Sequence, residues 1–154
     1  EGPLQATAGA IARRPLLCQP GEKWNYSPGL NVCGRVVEVV SGKPFDEFLA
    51  ERIFRPLKMT ETTFFPDAAQ QQRSAQRYRP GDSPGSLQPA AHWITEMTPD
   101  RQANPSGGLF STAYDMASFY QMILNGGQLD GRRVVSAEAV QQMALRYAGE
   151  SAER

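Results

Sequence analysis

Two helix-patterned segments separated by a Gly-Lys-Pro turn constrain this sequence more than any other feature. From Leu30 to Val40, apolar residues recur at the i, i+3, i+4 spacing of an amphipathic helix. Gly42 is suited to ending that helix in left-handed geometry. Pro44 then opens a second helix that runs to Ile53 and has acidic residues in its first turn. The residues expected to face inward are Leu30, Cys33, Val36, Val37, Val40, Phe45, Phe48, Leu49 and Ile53. The pattern predicts a packed helical hairpin.

Helical spacing is also present near both ends of the chain. Residues 1–14 predict a short helix that Pro15 ends, because the residue before a proline is disfavoured in helical geometry. The run 112–115 indicates a capping box, and the helix that it opens is expected to close at Gly126. Ser136 begins a last helix. The residues expected inward on these last two helices are Met116, Phe119, Tyr120, Ile123, Leu124, Val140, Met143, Ala144 and Tyr147.

Strand signals are short and weak. Residues 62–65 and 76–79 predict two brief strands, and residues 79–89 predict a loop because they are rich in Pro, Gly and Ser. Near the C-terminus, Asp130 and Gly131 predict a tight turn between two short extended segments.

One motif in the predicted loop has the letters of a nucleophile elbow. Residues 81–85 match G-x-S-x-G around Ser83, but that motif needs a sharp turn from a strand directly into a helix. Prolines flank the serine, no hydrophobic strand precedes it, and the single histidine, His92, follows only nine positions later. We therefore interpret the match as accidental and His92 as a loop or core residue.

Composition excludes several classes of partner. The chain has 154 residues, the size of one domain, and its 16 basic and 16 acidic side chains cancel. We expect no nucleic-acid partner and no membrane span, because the longest apolar runs fall short of the roughly 18 residues that a bilayer requires. Glu1 is not a natural start, so we expect the beginning of the protein to be missing; the compartment stays undetermined between periplasmic or secreted and cytoplasmic.

The two cysteines and the histidine are too few and too scattered for a metal site, so we expect neither a metal nor another cofactor. We favour free thiols at Cys18 and Cys33 over a disulfide, with Cys33 acting as a small hydrophobe on the inward face of its helix.

Tyr26 is the candidate catalytic residue. It lies where a loop enters the predicted helix, and the positive end of the helix dipole there favours the phenolate, the form that accepts a proton. The alternative is that Trp24 and Tyr26 form the inward face of a half-buried extended segment. Composition alone favours the packing role.

Five segments in a fixed order resemble the serine β-lactamase and penicillin-binding-protein superfamily, and especially its class C-like β-lactamases and related carboxylesterases. They are residues 15–42, 43–49, 53–62, 107–112 and 125–131. The resemblance implies a mainly α chain with a few short strands, the helical part of the α/β β-lactamase/transpeptidase-like fold without most of its sheet. Residues 1–154 would then be a single helical domain fragment.

The resemblance also implies roles for individual residues. Tyr26 matches the tyrosine that assists proton transfer between nucleophile, lysine and leaving group. Pro28 replaces the asparagine that binds substrate in many β-lactamases, which places lactam recognition in doubt. Ser27 and Asn31 are candidates for binding substrate or supporting the loop, and Asn31 stands where related esterases carry Asp.

The nucleophile itself is absent from this sequence. The superfamily uses a Ser-x-x-Lys pair, and no serine here has a lysine three positions later. The resemblance therefore implies a fragment of a serine hydrolase that acts on an ester, an amide or a β-lactam through an acyl-enzyme. We expect this fragment to be inactive by itself and prone to form a homo-oligomer. The alternative is a non-catalytic helical interaction module on the same scaffold.

Overall fold

The computed structural model describes residues 4–92 and 95–145. In chain order the elements are α1 (Leu4–Ala12), α2 (Gly29–Ser41), α3 (Phe45–Leu49, continued by a π-helical turn at Ala50–Phe54), α4 (Ala68–Arg73), β1 (Tyr78–Pro80), β2 (Leu87–Pro89), α5 (Ala113–Leu124), β3 (Gln128–Leu129), β4 (Arg132–Arg133) and α6 (Ala137–Met143). Helices predominate, as expected, and the short strands form two antiparallel hairpins, β1–β2 and β3–β4. Among the described residues, none of the helices combines the length and the apolarity needed to cross a bilayer.

Capping residues set the helix ends where the sequence predicted them. Gly42 follows α2 with φ 68°, and its N–H donates to the carbonyl of Glu38 at 2.9 Å. The side chain of Thr112 accepts from the N–H of Asp115 at 3.3 Å at the start of α5. Ser136 caps α6 in the same way. These local hydrogen bonds satisfy backbone groups that a helix end leaves unpaired.

The core lies where α3, its π-helical continuation and α5 meet. Its buried side chains are Phe54, Leu57, Met59 and Met122. Each buries enough apolar surface to contribute about 1.5 to 3 kcal/mol. The wider π turn leads the chain from α3 into this cluster. In this turn the N–H of Arg55 donates to the carbonyl of Ala50 at 2.9 Å.

The buried face of α2 is not the predicted one. Leu30, Val36 and Val40 are exposed to 61%, 55% and 82%, and Cys33 is also exposed. The buried residues are Gly34 and Glu38, which face α1. A carboxylate oxygen of Glu38 accepts from the N–H of Leu4 at 3.3 Å, at the positive end of α1, and this contact ties the two helices together.

The predicted faces of α5 and α6 were also partly wrong. Tyr120 and Leu124 are exposed, whereas Met122 is fully buried. On α6, Met143 and Ala144 are exposed, and Tyr147 lies outside the described residues. Helical periodicity located these helices, but the partner that covers a face comes from distant parts of the chain.

The predicted loop at 79–89 contains a hairpin. β1 pairs with β2 in the register Tyr78↔Pro89, and the N–H of Gly81 donates to the carbonyl of Ser86 at 2.9 Å. The G-x-S-x-G letters lie in the turn of this hairpin, which leads from strand to strand and lacks the geometry of a nucleophile elbow. The strand predicted at 62–65 is reduced to a single bridge, Thr63↔Phe110.

Candidate functional site

Tyr26 lies open to solvent directly before α2. Its side chain is 88% exposed, and that of Trp24 is 60% exposed. The two rings meet edge to face with their centroids 6.3 Å apart. The interpretation of these residues as the inward face of a half-buried segment was therefore wrong, and the phenol is accessible to another molecule or domain.

Ser27 and Pro28 connect Tyr26 to the helix through a tight turn. The Ser27 hydroxyl accepts from the N–H of Gly29 at 3.3 Å. The carbonyl of Pro28 accepts from the N–H of Asn31 at 3.0 Å. Tyr26 is thus separated from the first turn of α2 by a short segment with two local hydrogen bonds.

Asn31 holds this first turn against residues 104–107, which we call the 104–107 loop. Its side-chain oxygen accepts from the N–H of Ser106 at 3.1 Å and from the Ser106 hydroxyl. Within the loop, the same N–H donates to the side chain of Asn104 at 3.0 Å, and the N–H of Gly107 donates to the carbonyl of Asn104 at 3.0 Å. The structure therefore joins Asn31 to residues 75 positions away in the sequence.

Arg101 fixes the segment that carries this loop. Its guanidinium donates to the carbonyls of Phe64, Glu96 and Gly108 at 2.8, 2.9 and 2.8 Å. It also lies over the ring of Phe110, 5.6 Å from the centroid. The planar fork of arginine suits this simultaneous contact with several acceptors.

A cleft of about 400 Å³ opens beside Asn31. This volume is in the range of small-molecule sites. Its polar lining includes Asn31, Asn104 and Arg101, but Tyr26 is not part of it. Asn31 thus lines a cleft that does not include Tyr26.

Sequence reasoning missed Arg101 and Asn104 and assigned no site role to Ser106. The signal at 104–107 was the Asn-Pro dipeptide and the following glycine pair, which favour a tight turn and a close backbone approach. Nothing local in the sequence connects this turn to Asn31.

The remaining candidate groups are located as follows. Cys18 and Cys33 are free thiols, as expected, although Cys33 is exposed and does not serve as a core hydrophobe. His92 is half-buried, and its carbonyl accepts from the N–H and the hydroxyl of Thr95 at 2.8 and 3.0 Å.

Comparison with known proteins gives a consistent result. The model of the beta-lactamase family matches residues 2–153. Penicillin-binding protein 4 of Amycolatopsis lactamdurans is 35% identical over 134 residues, with 86% of this chain and 34% of that protein covered. Lovastatin esterase of Penicillium rubens is 38% identical over 118 residues, with 75% of this chain and 30% of that protein covered.

A solved structure supports the same assignment. The octameric penicillin-binding protein homologue from Pyrococcus abyssi superposes with a TM-score of 0.66 at 26% identity, over 90% of this chain and 29% of that one. The chain thus spans about a third of the length of these relatives and represents part of their β-lactamase/transpeptidase-like fold. Because that family model matches residues 2–153, the chain belongs to the beta-lactamase family.

Proposed function

We propose that this chain is part of a serine hydrolase that cleaves an ester or an amide, including a β-lactam, through an acyl-enzyme. The family match and its relatives named as an esterase and a penicillin-binding protein support this reaction class. In such a reaction a serine oxygen attacks the carbonyl carbon, the bond to the leaving group breaks, and water then hydrolyses the acyl-serine ester. Residues 1–154 form one helical domain of that enzyme.

The observation that carries the proposal is the exposed phenol of Tyr26 at the entry to α2. In the proposed reaction, Tyr26 accepts the proton of the attacking serine and returns it to the leaving group. The serine and its lysine come from a Ser-x-x-Lys segment outside residues 1–154, and Ser27 and Asn31 bind substrate or support the turn that carries Tyr26.

Hydrolysis of a chromogenic ester and of a chromogenic cephalosporin by the full-length protein tests this proposal. Tyr26→Phe should lower kcat by about 10²- to 10⁴-fold, the usual contribution of general acid–base catalysis. Tyr114→Phe is the matched control, because Tyr114 is also 88% exposed but lies on α5. Full activity of Tyr26→Phe would contradict the proposal. Turnover by residues 1–154 alone that Tyr26→Phe abolishes would also contradict it, because these residues would then contain the nucleophile.

A second candidate is a non-catalytic helical interaction module. The exposed apolar side chains Leu30, Val36 and Val40 on α2 favour it, because exposed apolar surface is typical of a docking face. The coding sequence upstream of residue 1 separates the two candidates: a Ser-x-x-Lys motif there supports the hydrolase, and its absence supports the module.

The same apolar face supports a homo-oligomer, and the related penicillin-binding protein homologue from Pyrococcus abyssi is octameric. Light scattering of the full-length protein should show particles larger than one chain. A monodisperse monomer at high concentration would contradict the oligomer.

A further inference from the structure

We propose that Asn31 is a positioning residue. Its side-chain oxygen fixes the first turn of α2 on the 104–107 loop, with Ser106 as its partner, and this contact sets the position of Tyr26. The inference rests on the proposed function of Tyr26. It assigns Asn31 to support of the turn and not to substrate binding.

The contact with Ser106 occupies the acceptor capacity of Asn31. A backbone N–H is only a donor, so the side-chain atom of Asn31 that faces it is the amide oxygen. That oxygen has two lone pairs, and Ser106 supplies two donors, its N–H and its hydroxyl. The oxygen is therefore committed to the loop and is not available to a substrate.

A second contact joins the same face of α2 to the loop. Gly34 follows Asn31 by three positions, and a Cβ added there would overlap Pro105 and lie 2.9 Å from Leu4. This close approach explains a glycine in the middle of a helix, where it otherwise costs about 1 kcal/mol. Asn31 and Gly34 thus dock one side of α2 on consecutive residues of the loop, Pro105 and Ser106.

The 104–107 loop is suited to act as a fixed reference for α2. Asn104 closes the turn through its side chain and its carbonyl. At the end of the loop, Arg101 holds the carbonyl of Gly108 together with those of Phe64 and Glu96. Three charge-assisted hydrogen bonds from one planar group leave this backbone little freedom to move.

Displacement of Asn31 is transmitted to Tyr26 through a short path. Two hydrogen bonds hold residues 27–31 in a tight turn. The N–H of Gly29 donates to the Ser27 hydroxyl, and the N–H of Asn31 donates to the carbonyl of Pro28. A rotation of the first turn of α2 therefore moves the phenol. A misplacement of about 1 Å in a catalytic group lowers a rate by as much as about 10²-fold.

Steady-state kinetics of the full-length protein with a chromogenic ester test the proposal. Asn31→Leu removes the acceptor and should lower kcat by about 10- to 100-fold, with KM changed by less than about threefold. Asn31→Asp keeps the acceptor, removes the amide donors, and should recover most of that loss. Ser106→Ala keeps the N–H and should lower kcat less, and the double variant Asn31→Leu/Ser106→Ala should be no slower than Asn31→Leu alone.

Two results would overturn the proposal. One is an Asn31→Asp variant as slow as Asn31→Leu with a raised KM, because the amide donors would then bind substrate. The other is a fold-loss in kcat of the double variant that equals the product of the losses in the two single variants, because Asn31 and Ser106 would then act independently. If Asn31→Leu does not fold, Asn31→Asp and Ser106→Ala decide alone: impaired Ser106→Ala with active Asn31→Asp supports the proposal, and the reverse pattern overturns it.

Trp24 fluorescence provides a readout that does not depend on activity. The ring of Trp24 contacts that of Tyr26, and the difference in emission from a matched Trp24→Phe variant isolates the Trp24 signal in the full-length protein. Ser106→Ala should increase acrylamide quenching of Trp24, and Asn31→Asp should not. If Tyr26→Phe keeps full turnover while quenching responds as expected, the proposed function fails and the positioning role stands. If Tyr26→Phe abolishes turnover but Ser106→Ala changes neither quenching nor kcat, the positioning role fails.

Discussion

The first turns of α2 and α5 are attached to the rest of the molecule by the same kind of contact in different surroundings. On α5, a carboxylate oxygen of Asp115 accepts from the N–H of Glu61 at 2.9 Å and from the hydroxyl of Thr62 at 2.7 Å. On α2, the side-chain oxygen of Asn31 accepts from the N–H and hydroxyl of Ser106. We call these the Asp115 anchor (Asp115, Glu61, Thr62) and the Asn31 anchor (Asn31, Ser106).

The two anchors differ in burial and charge. Asp115 and Thr62 are 6% and 7% exposed, whereas Asn31 is half-buried and Ser106 is exposed. Water replaces a lost partner at an exposed contact, but a buried donor that loses its acceptor stays unpaired. The Asp115 anchor therefore contributes mainly to stability. The Asn31 anchor contributes mainly to how the first turn of α2 is held on the 104–107 loop.

The largest expected difference between the anchors is in stability. Asp115→Ala removes the acceptor of the Glu61 N–H, and the buried Thr62 hydroxyl keeps only its contact with Ser111 at 2.8 Å, so the free energy of unfolding should fall by about 2 to 4 kcal/mol. Asn31→Ala should lower it by only about 0.5 to 1.5 kcal/mol, because water reaches its partners. Urea unfolding of the full-length protein followed by circular dichroism measures both. Equal losses in the two variants would remove the distinction between the anchors.

The next largest expected effect concerns the close packing of α2 against the 104–107 loop at Gly34. Gly34→Ala places a methyl group against Pro105 and Leu4 and should destabilise the protein by about 1 to 3 kcal/mol. Gly9→Ala on α1 is the matched control, because its nearest neighbour is the flexible end of Arg13 at 3.7 Å. That substitution should stabilise by about 0.5 to 1 kcal/mol through helix propensity. Thermal melting should therefore show shifts of opposite sign, and a neutral Gly34→Ala would show that α2 does not dock closely on the loop.

The anchors also show what the sequence predicts and what it does not. Helix ends depend on local chemistry, and so Gly42, Thr112 and Ser136 marked them correctly. A reciprocal capping box was expected at 112–115, but the Asp115 side chain bonds Glu61 and Thr62 instead, more than 50 positions away.

The faces of α2 were mispredicted for the same reason. Apolar spacing pointed to the valines, while burial falls on Gly34 and Glu38, which meet α1 and the 104–107 loop. Which face is covered depends on partners remote in sequence. Tyr26 was recognised as a candidate from a local motif and a resemblance, but the contact between Asn31 and Ser106 is visible only in the folded chain. Gly34, a glycine in the helix interior, is a further local sign of this close contact.

The smallest expected effect concerns the exposed side of the Asp115 anchor. Glu61, whose N–H donates to Asp115, also pairs through its carboxylate with Arg73, and the hydrogen bond from Arg73 lowers the pKa of Glu61. Because this pKa is lower in the folded state, the pair contributes stability above the ordinary carboxyl range, roughly pH 4 to 5, and loses it as pH falls through the folded pKa. Arg73→Gln should raise the Glu61 pKa toward its ordinary value, measured by NMR titration of the carboxyl carbon.

Lys43→Gln is the control, because Lys43 pairs with Glu51 and lowers the pKa of that residue instead. An unchanged Glu61 titration in Arg73→Gln would show that the pair does not persist in solution, and the Asp115 anchor would then rest on its buried contacts alone.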